Sequence, residues 1–106
     1  MKPKPLVVFT TVPTRAVARK ITKVLLAKKL AASVQVSGKI KSEYWWKGRR
    51  RKADEYVCSI RTTSRNYASV ERAVVAAHPY EVPELFAVEI SQGYAPFLHW
   101  MKAGGQ

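Results

Sequence analysis

Apolar and β-branched residues run unbroken from Leu6 to Val12 ("LVVFTTV"), the pattern of a strand covered on both faces. Pro13 ends the run, and Thr14 can cap a helix because its hydroxyl accepts from the free N–H groups of a first turn. Within "TRAVARKITKVLLAKKL", Val17, Ile21, Val24, Leu25 and Lys28 share one stripe that would pack on a sheet. Arg15, Arg19 and Lys23 line another face at four-residue spacing. Like charges so placed repel by about a few tenths of a kcal/mol per pair, so this helix depends on tertiary packing.

From Ala31 the period drops to two. Ala32, Val34 and Val36 point one way and Ser33, Gln35 and Ser37 the other, predicting a long second strand over "AASVQVSGKIKSEYWW" with a bulge or bend at Gly38. "KGRRRKADE" reads as a turn with Gly48 at its tip, and "EYVCSIRTT" as a third strand with Tyr56, Cys58 and Ile60 on one face. Ser64 is the expected cap of the next helix, "RNYASVERAVVAAH", whose apolar stripe is Tyr67, Val70, Val74 and Ala77. After the corner "HPYEVPE" come a fourth strand, "LFAVEIS", and a short helix, "YAPFLHWMK", with Pro96 tolerable in its first turn. "AGGQ" is expected to fray. The order βαββαβ, with a small closing helix, predicts a ferredoxin-like α+β sandwich filling residues 1–106 as a single domain.

Charge changes the picture. Nineteen Lys and Arg oppose seven Asp and Glu, a net +12, and no acid precedes Glu43. Such a field attracts polyanions, and Arg15, Arg19 and Lys23 on the first helix with Arg49, Arg50 and Arg51 after the turn are the expected anion-contacting residues. The lone Cys58 cannot form an internal disulfide, which suits a reducing compartment, and the expected location is cytoplasmic. No apolar run reaches the roughly 20 residues of a membrane span. The start, "MKPKPLVVFTTVPTR", has too short an apolar patch and no small-residue cleavage site, so it is not read as a signal peptide.

Catalytic motifs are missing: no G-x-S-x-G, P-loop, H-E-x-x-H or glycine-rich phosphate cradle occurs, and Asp54 and Glu55 diverge as strand neighbours. The expectation is a protein that is not an enzyme. His78 falls at the end of the second helix, where it can serve the last carbonyls while Pro79 stops the helix. Its other reading is a metal ligand, but one histidine holds a transition metal weakly, and His99 is its sole histidine companion. Tyr44, Trp45 and Trp46 stack three large aromatics beside the turn, which suits a protein interface. The alternative is base stacking, because "KGRRRK" follows at once and basic residues beside aromatics suit single-stranded nucleic acid. An RNA-recognition motif needs more strand aromatics than Phe9 and Tyr56 supply.

Taken in order, "VVFTTVP", "LLAKKLAASVQV", "SEYWWKG", "IRTT", "HPYEVPEL" and "YAPFLHWM" resemble the CutA divalent-cation tolerance family along nearly the whole chain. The resemblance implies a ferredoxin-like protomer in a compact homotrimer, with sheet edges of neighbours joined and Tyr44, Trp45 and Trp46 at the trimer interface. It also implies that the corner is a rigid joint beside a cleft between subunits, where His78, Tyr80 and Arg61 gather. No cofactor is fixed by the residues; the resemblance implies copper or another divalent cation, with His78 as the ligand carried over. Thr10 or Thr11 stands where some members place a strand-one cysteine, Ala77 where some have a further histidine, and Ser33 where a second-strand cysteine is common. Thr14, Arg15, Lys47, Arg49, Arg51 and Arg65 occupy surface positions where the family typically carries acids. That implies a positively supercharged surface, by design or by adaptation to polyanions.

The expected function is thus that of a homotrimeric divalent-cation (copper) tolerance protein whose basic surface assembles with anionic macromolecules or anionic protein assemblies. Nucleic acid is bound only nonspecifically on this reading. The alternative is a nucleic-acid-binding module built on the aromatic-basic hairpin.

Overall fold

The computed structural model describes residues 2–105. Its elements are β1 (Pro5–Val12), α1 (Arg15–Ala27), β2 (Ser33–Val36), β3 (Ile40–Trp46), β4 (Arg49–Thr63), α2 (Tyr67–Ala77), β5 (Leu85–Glu89) and α3 (Ala95–Lys102). Among the described residues this is an α+β fold of three helices on a five-stranded antiparallel sheet. The strand order is β2-β4-β1-β5, and β3 pairs with the outer half of β4. No helix among them is long and apolar enough to cross a membrane.

β1 is central, and the parity of its side chains builds the core. Val8 and Val12 meet Cys58 and Ile60 of β4, Ile21 and Leu25 of α1, and Val70 and Val74 of α2 in one fully buried cluster. The α1 stripe is centred one residue off the expected line: Ala18 is buried where Val17 only packs alongside, and Lys28 is exposed. Two buried hydroxyls on the same parity are satisfied by loops that close over the sheet. Thr10 Oγ1 donates to the Glu84 carbonyl at 2.7 Å, and Thr62 Oγ1 donates to that of Leu30 at 2.6 Å.

The other sheet face lies away from α1 and α2, whose buried residues join the core cluster. There Phe9 stacks on Phe86 at 5.4 Å between ring centroids, and Phe86 and Val88 stay exposed. An antiparallel sheet with one face solvated normally alternates apolar-in with polar-out. Here aromatic and β-branched residues lie on the solvated side instead.

Thr14 caps α1 as expected, accepting from the Val17 N–H at 3.2 Å. At the far end Lys29 takes φ 56°, with Lys29 N–H to Leu26 O at 3.1 Å and Leu30 N–H to Leu25 O at 2.9 Å. That is a Schellman closure with lysine where glycine is usual.

Four expectations need correction. The long second strand is two strands, because the Ser37 hydroxyl accepts the Val57 N–H at 2.9 Å and the chain leaves the ladder until Ile40. The turn is only Lys47–Gly48, both at positive φ (51° and 77°) as a type I′ hairpin requires. "RRRKAD" is therefore ladder, with Arg49 opposite Trp46, Arg50 opposite Trp45 and Arg51 opposite Tyr44. A run of exposed charge hid the strand, since it carries no apolar alternation.

Asn66, not Ser64, precedes α2. The Ser64 hydroxyl instead accepts the Lys4 N–H at 2.8 Å, fixing the start of β1. The expected frayed tail is tied back through residue 105 by Ala103 N–H to His99 O, Gly104 N–H to Met101 O and Gly105 N–H to Trp100 O. Gln106 lies outside the described residues.

Candidate functional site

The proline corner is anchored at three points. At its start the His78 ring is buried, with Nε2 2.7 Å from the Thr11 carbonyl of β1, while Nδ1 faces the Tyr80 N–H at 3.2 Å. An amide can only donate, so Nδ1 is the acceptor and Nε2 carries the proton given to Thr11. At its end the Glu84 carbonyl is held by Thr10. In the middle the Tyr80 ring packs on His78 at 4.8 Å between centroids, and its hydroxyl donates to Glu55 Oε2 of β4 at 2.9 Å. Three elements thus meet through one short relay. The expected contact of His78 with the helix end is made by its backbone N–H, to Val75 O at 3.3 Å, and the ring works elsewhere.

Glu55 is only 4% exposed. Burial, the hydrogen bond to its carboxylate, that carboxylate's charge and the nearby Tyr44 together push the Tyr80 phenol up to about 12. Sequence reasoning gave Glu55 no role. Its partner lies 25 residues away, and only the fold brings the two together.

Between this corner and the β3–β4 hairpin lies a cavity of about 650 Å³. Tyr44, Trp45 and Trp46 form one wall, and Tyr80, Val82 and Pro83 the other. Trp45 is 71% exposed, whereas Trp46 is half-buried with the Lys47 ammonium 5.6 Å from its ring.

Of the residues expected to gather at a cleft, the chain brings His78 and Tyr80 together but not Arg61. Thr11 pairs with Val57, and Arg61 lies four residues further along β4, roughly 13 Å at strand rise. Its guanidinium is held at Ser59 Oγ, 3.0 Å away.

The six expected anion-contacting residues form two patches. On α1, Arg19 and Lys23 are exposed and Arg15 lies over the Tyr56 ring at 4.7 Å, a cation–π contact that the helix pattern could not reveal. On the hairpin Arg49, Arg50 and Arg51 are exposed, with Arg50 paired to Glu43 at 3.5 Å.

A resident transition metal does not fit the corner of a single chain. Both His78 nitrogens are in use, Thr10 and Thr11 offer no thiolate, and no group of three or more His, Cys, Asp or Glu able to hold a metal occurs among the described residues. Cys58 is buried in the core, and burial pushes its thiol above the ordinary value.

Fold and site together define a small α+β protein with apolar side chains exposed on β5 and an aromatic-walled cavity. Comparison with known proteins makes this specific. The family model described as CutA1 divalent ion tolerance protein matches residues 6–104, and the chain belongs to that family.

Mouse protein CutA is 38% identical over 93 residues, covering 88% of this chain and 52% of the mouse protein. The chain thus spans about half the length of that relative. The crystal structure of CutA1 from Shewanella sp. SIB1 superposes with a TM-score of 0.92 at 36% identity, covering 98% of this chain and 97% of the other. The structure of CutA from Archaeoglobus fulgidus gives 0.90 at 35% identity, covering 96% and 99%.

That archaeal protein is described as periplasmic, which overturns the cytoplasmic expectation drawn here from a lone cysteine. A free thiol is compatible with more than one compartment. The family description names tolerance of divalent ions, not a reaction.

Proposed function

We propose that the chain is a non-enzymatic divalent-cation tolerance protein working as a compact homotrimer of ferredoxin-like protomers. Its basic surface serves electrostatic assembly with anionic macromolecules or anionic protein assemblies. One observation carries the reading: large apolar side chains lie exposed on β5 and the hairpin. Trp45 is 71% exposed, Val88 50%, Phe86 45% and Tyr44 42%. Large apolar side chains left exposed in this number suit a protein contact.

The strand order and the helices across one face support the ferredoxin-like protomer. The outer edges of β3 and β5 carry no strand partner among the described residues, which suits joining to neighbours. Tyr44, Trp45 and Trp46 are then interface residues. A neighbour's Arg61 completes a cleft with His78 and Tyr80 that one chain leaves open.

Copper or another divalent cation enters this reading at His78, where it must displace the Thr11 bond and is therefore held weakly. Nucleic acid is bound through charge alone. The test is molar mass by light scattering in high salt, where nonspecific clustering is screened. Three times the chain mass of 11.9 kDa is expected. A mass of one chain overturns the reading.

A further inference from the structure

We propose that the outward face of α1 is a docking surface for the phosphate backbone of duplex nucleic acid. This rests on the reading that the basic surface takes anionic macromolecules, and it assigns both the face and the partner. Arg15, Arg19, Lys20 and Lys23 are all exposed there, and α1 contains no acid. Arg15 opens the first turn, the reverse of the charge that the helix dipole favours at that end. Arg15, Arg19 and Lys23 also follow at four-residue spacing, where like charges repel. The row is thus carried against the preference of its own helix.

Nothing in the rest of the fold neutralises it. The ion pairs among the described residues use Lys4, Lys39, Lys41, Lys47 and Arg50, and none uses a cation of α1. The hairpin is partly self-neutralised in this way, through Arg50 with Glu43 and Lys47 with Glu81. The α1 row is not. Arg15 lies over the Tyr56 ring at 4.7 Å, a contact that limits where it can move and leaves its charge uncompensated.

The face is also free. α1 buries Ala18, Ile21 and Leu25, which turns Arg19, Lys20 and Lys23 away from the sheet. The helix packs on β1, β2, β4 and α2. The edges of β3 and β5, the apolar side chains of β5 and the hairpin aromatics lie elsewhere, so a partner on α1 leaves the proposed subunit contacts untouched.

The chemistry favours phosphate over a protein partner. Protein contacts need an apolar centre, and Leu26 is the one large apolar side chain exposed on α1 among the described residues. Nucleic-acid contacts are more polar and much more positive. Four residues advance an α-helix by about 6 Å, and the 13 residues of α1 run about 20 Å. A duplex carries one negative charge per about 1.7 Å of axis, so roughly a dozen lie along that length. A stiff row of cations meets a stiff row of anions with neither partner having to order. Contacts to phosphate carry no sequence information, so no base preference is expected.

The test compares two variants of equal net charge in the full chain. One carries Arg19→Gln, Lys20→Gln and Lys23→Gln, which keep helix propensity and leave Arg15 on Tyr56. The other carries Lys4→Gln, Lys39→Gln and Lys41→Gln, all at ion-paired positions. Binding of a labelled duplex DNA of roughly 20 base pairs and arbitrary sequence is read by fluorescence anisotropy across about 50–200 mM sodium chloride. The hairpin arginines are unchanged in both. The α1 variant should lower the slope of log affinity against log salt by about 2–3, since each phosphate contact contributes about 0.9, and weaken binding about tenfold or more at the lowest salt. The charge-matched variant should lower the slope by less than about 1.

Equal losses in the two variants would show that the field of the whole molecule carries binding, and would overturn the proposal. So would an α1 variant that binds like the unchanged chain. Polyglutamate of matched charge binding as tightly as the duplex, with the same dependence on α1, would give the face to an acidic protein instead. In all three cases the basic-surface reading stands; if no polyanion binds at about 50 mM salt, both fall. Circular dichroism and molar mass check that the variants fold and assemble alike. If the triple α1 variant does not, Arg19→Gln with Lys23→Gln takes its place, with a slope change of about 2.

Discussion

Replacing Tyr80 with phenylalanine deletes one oxygen and keeps the ring that packs on His78. The lost bond runs from the Tyr80 hydroxyl to Glu55 Oε2 at 2.9 Å, on a carboxylate that is 4% exposed. A hydrogen bond to a charged group contributes roughly 1.5–3 kcal/mol. Tyr80 is only half-buried, so water reaching the vacated position offsets part of this, leaving about 1–2 kcal/mol. With a urea slope of about 1–3 kcal/mol/M, the unfolding midpoint should fall by roughly 0.3–2 M.

Far-UV circular dichroism at pH 7 reads this, at one fixed protein concentration because assembly makes stability depend on it. Pairing the change with Glu55→Gln in a double-mutant cycle should give a coupling of about 1 kcal/mol. The pH dependence has a definite sign. The Tyr80 phenol sits at about 12 when folded, for the burial and Glu55 reasons above, against about 10 unfolded. The folded state therefore keeps a proton that the unfolded chain has lost. This contribution is full below pH 10 and disappears as pH climbs from 10 to 12.

Absorbance at 295 nm should show a phenol titrating late, with Tyr67 also raised by burial and by its bond to Glu71. Tyr80→Phe should remove the last of the late phenols. A cost below about 0.3 kcal/mol, with every tyrosine titrating together near pH 10, would refute the relay.

Other consequences follow from the same geometry. Gly48 at φ 77° has open space where a Cβ would sit, so Gly48→Ala pays only for backbone: about 1–2 kcal/mol, read as faster amide exchange in the hairpin. His78→Ala leaves the Thr11 carbonyl unpaired and should cost about 1–3 kcal/mol in urea. In the same variant copper affinity measured by calorimetry should drop, and unchanged affinity would remove His78 from any metal reading. Changing Arg49, Arg50 and Arg51 to serine should lower the salt slope of duplex DNA binding by about 3, equally for every DNA sequence tested, with filter binding as the assay. A base preference would favour a dedicated nucleic-acid reader.

What was legible in the sequence was local. Thr14 as a cap, the α1 stripe to within one residue and the position of His78 at a helix end follow from periods and stop signals within a few residues. The break near Gly38 was visible as a bend, but its cause, Ser37 bonding Val57 across 20 residues, was not. The first half of β4 was hidden because its pairing is held by backbone ladder and the I′ turn, while its side chains are charged and outside the core. Ser64 looked like the cap of α2 because its hydroxyl chemistry suits both a cap and the long-range bond it makes to Lys4. The cavity was out of reach altogether. Its walls come from the hairpin, β4 and the corner, and no spacing along the chain announces that Glu55 will face Tyr80.

The central claim is that the hairpin and the bare sheet edges meet other copies of the chain. Amide hydrogen exchange, read by mass spectrometry on peptides covering β3 and β5 in high salt, tests it most directly. In an isolated chain the outward-facing amides of both edge strands are open to solvent and exchange at coil rates, while β1 stays protected. Joined edges predict that the β3 and β5 peptides are protected nearly as well as β1. Rapid exchange of both, beside a protected β1, would contradict the account.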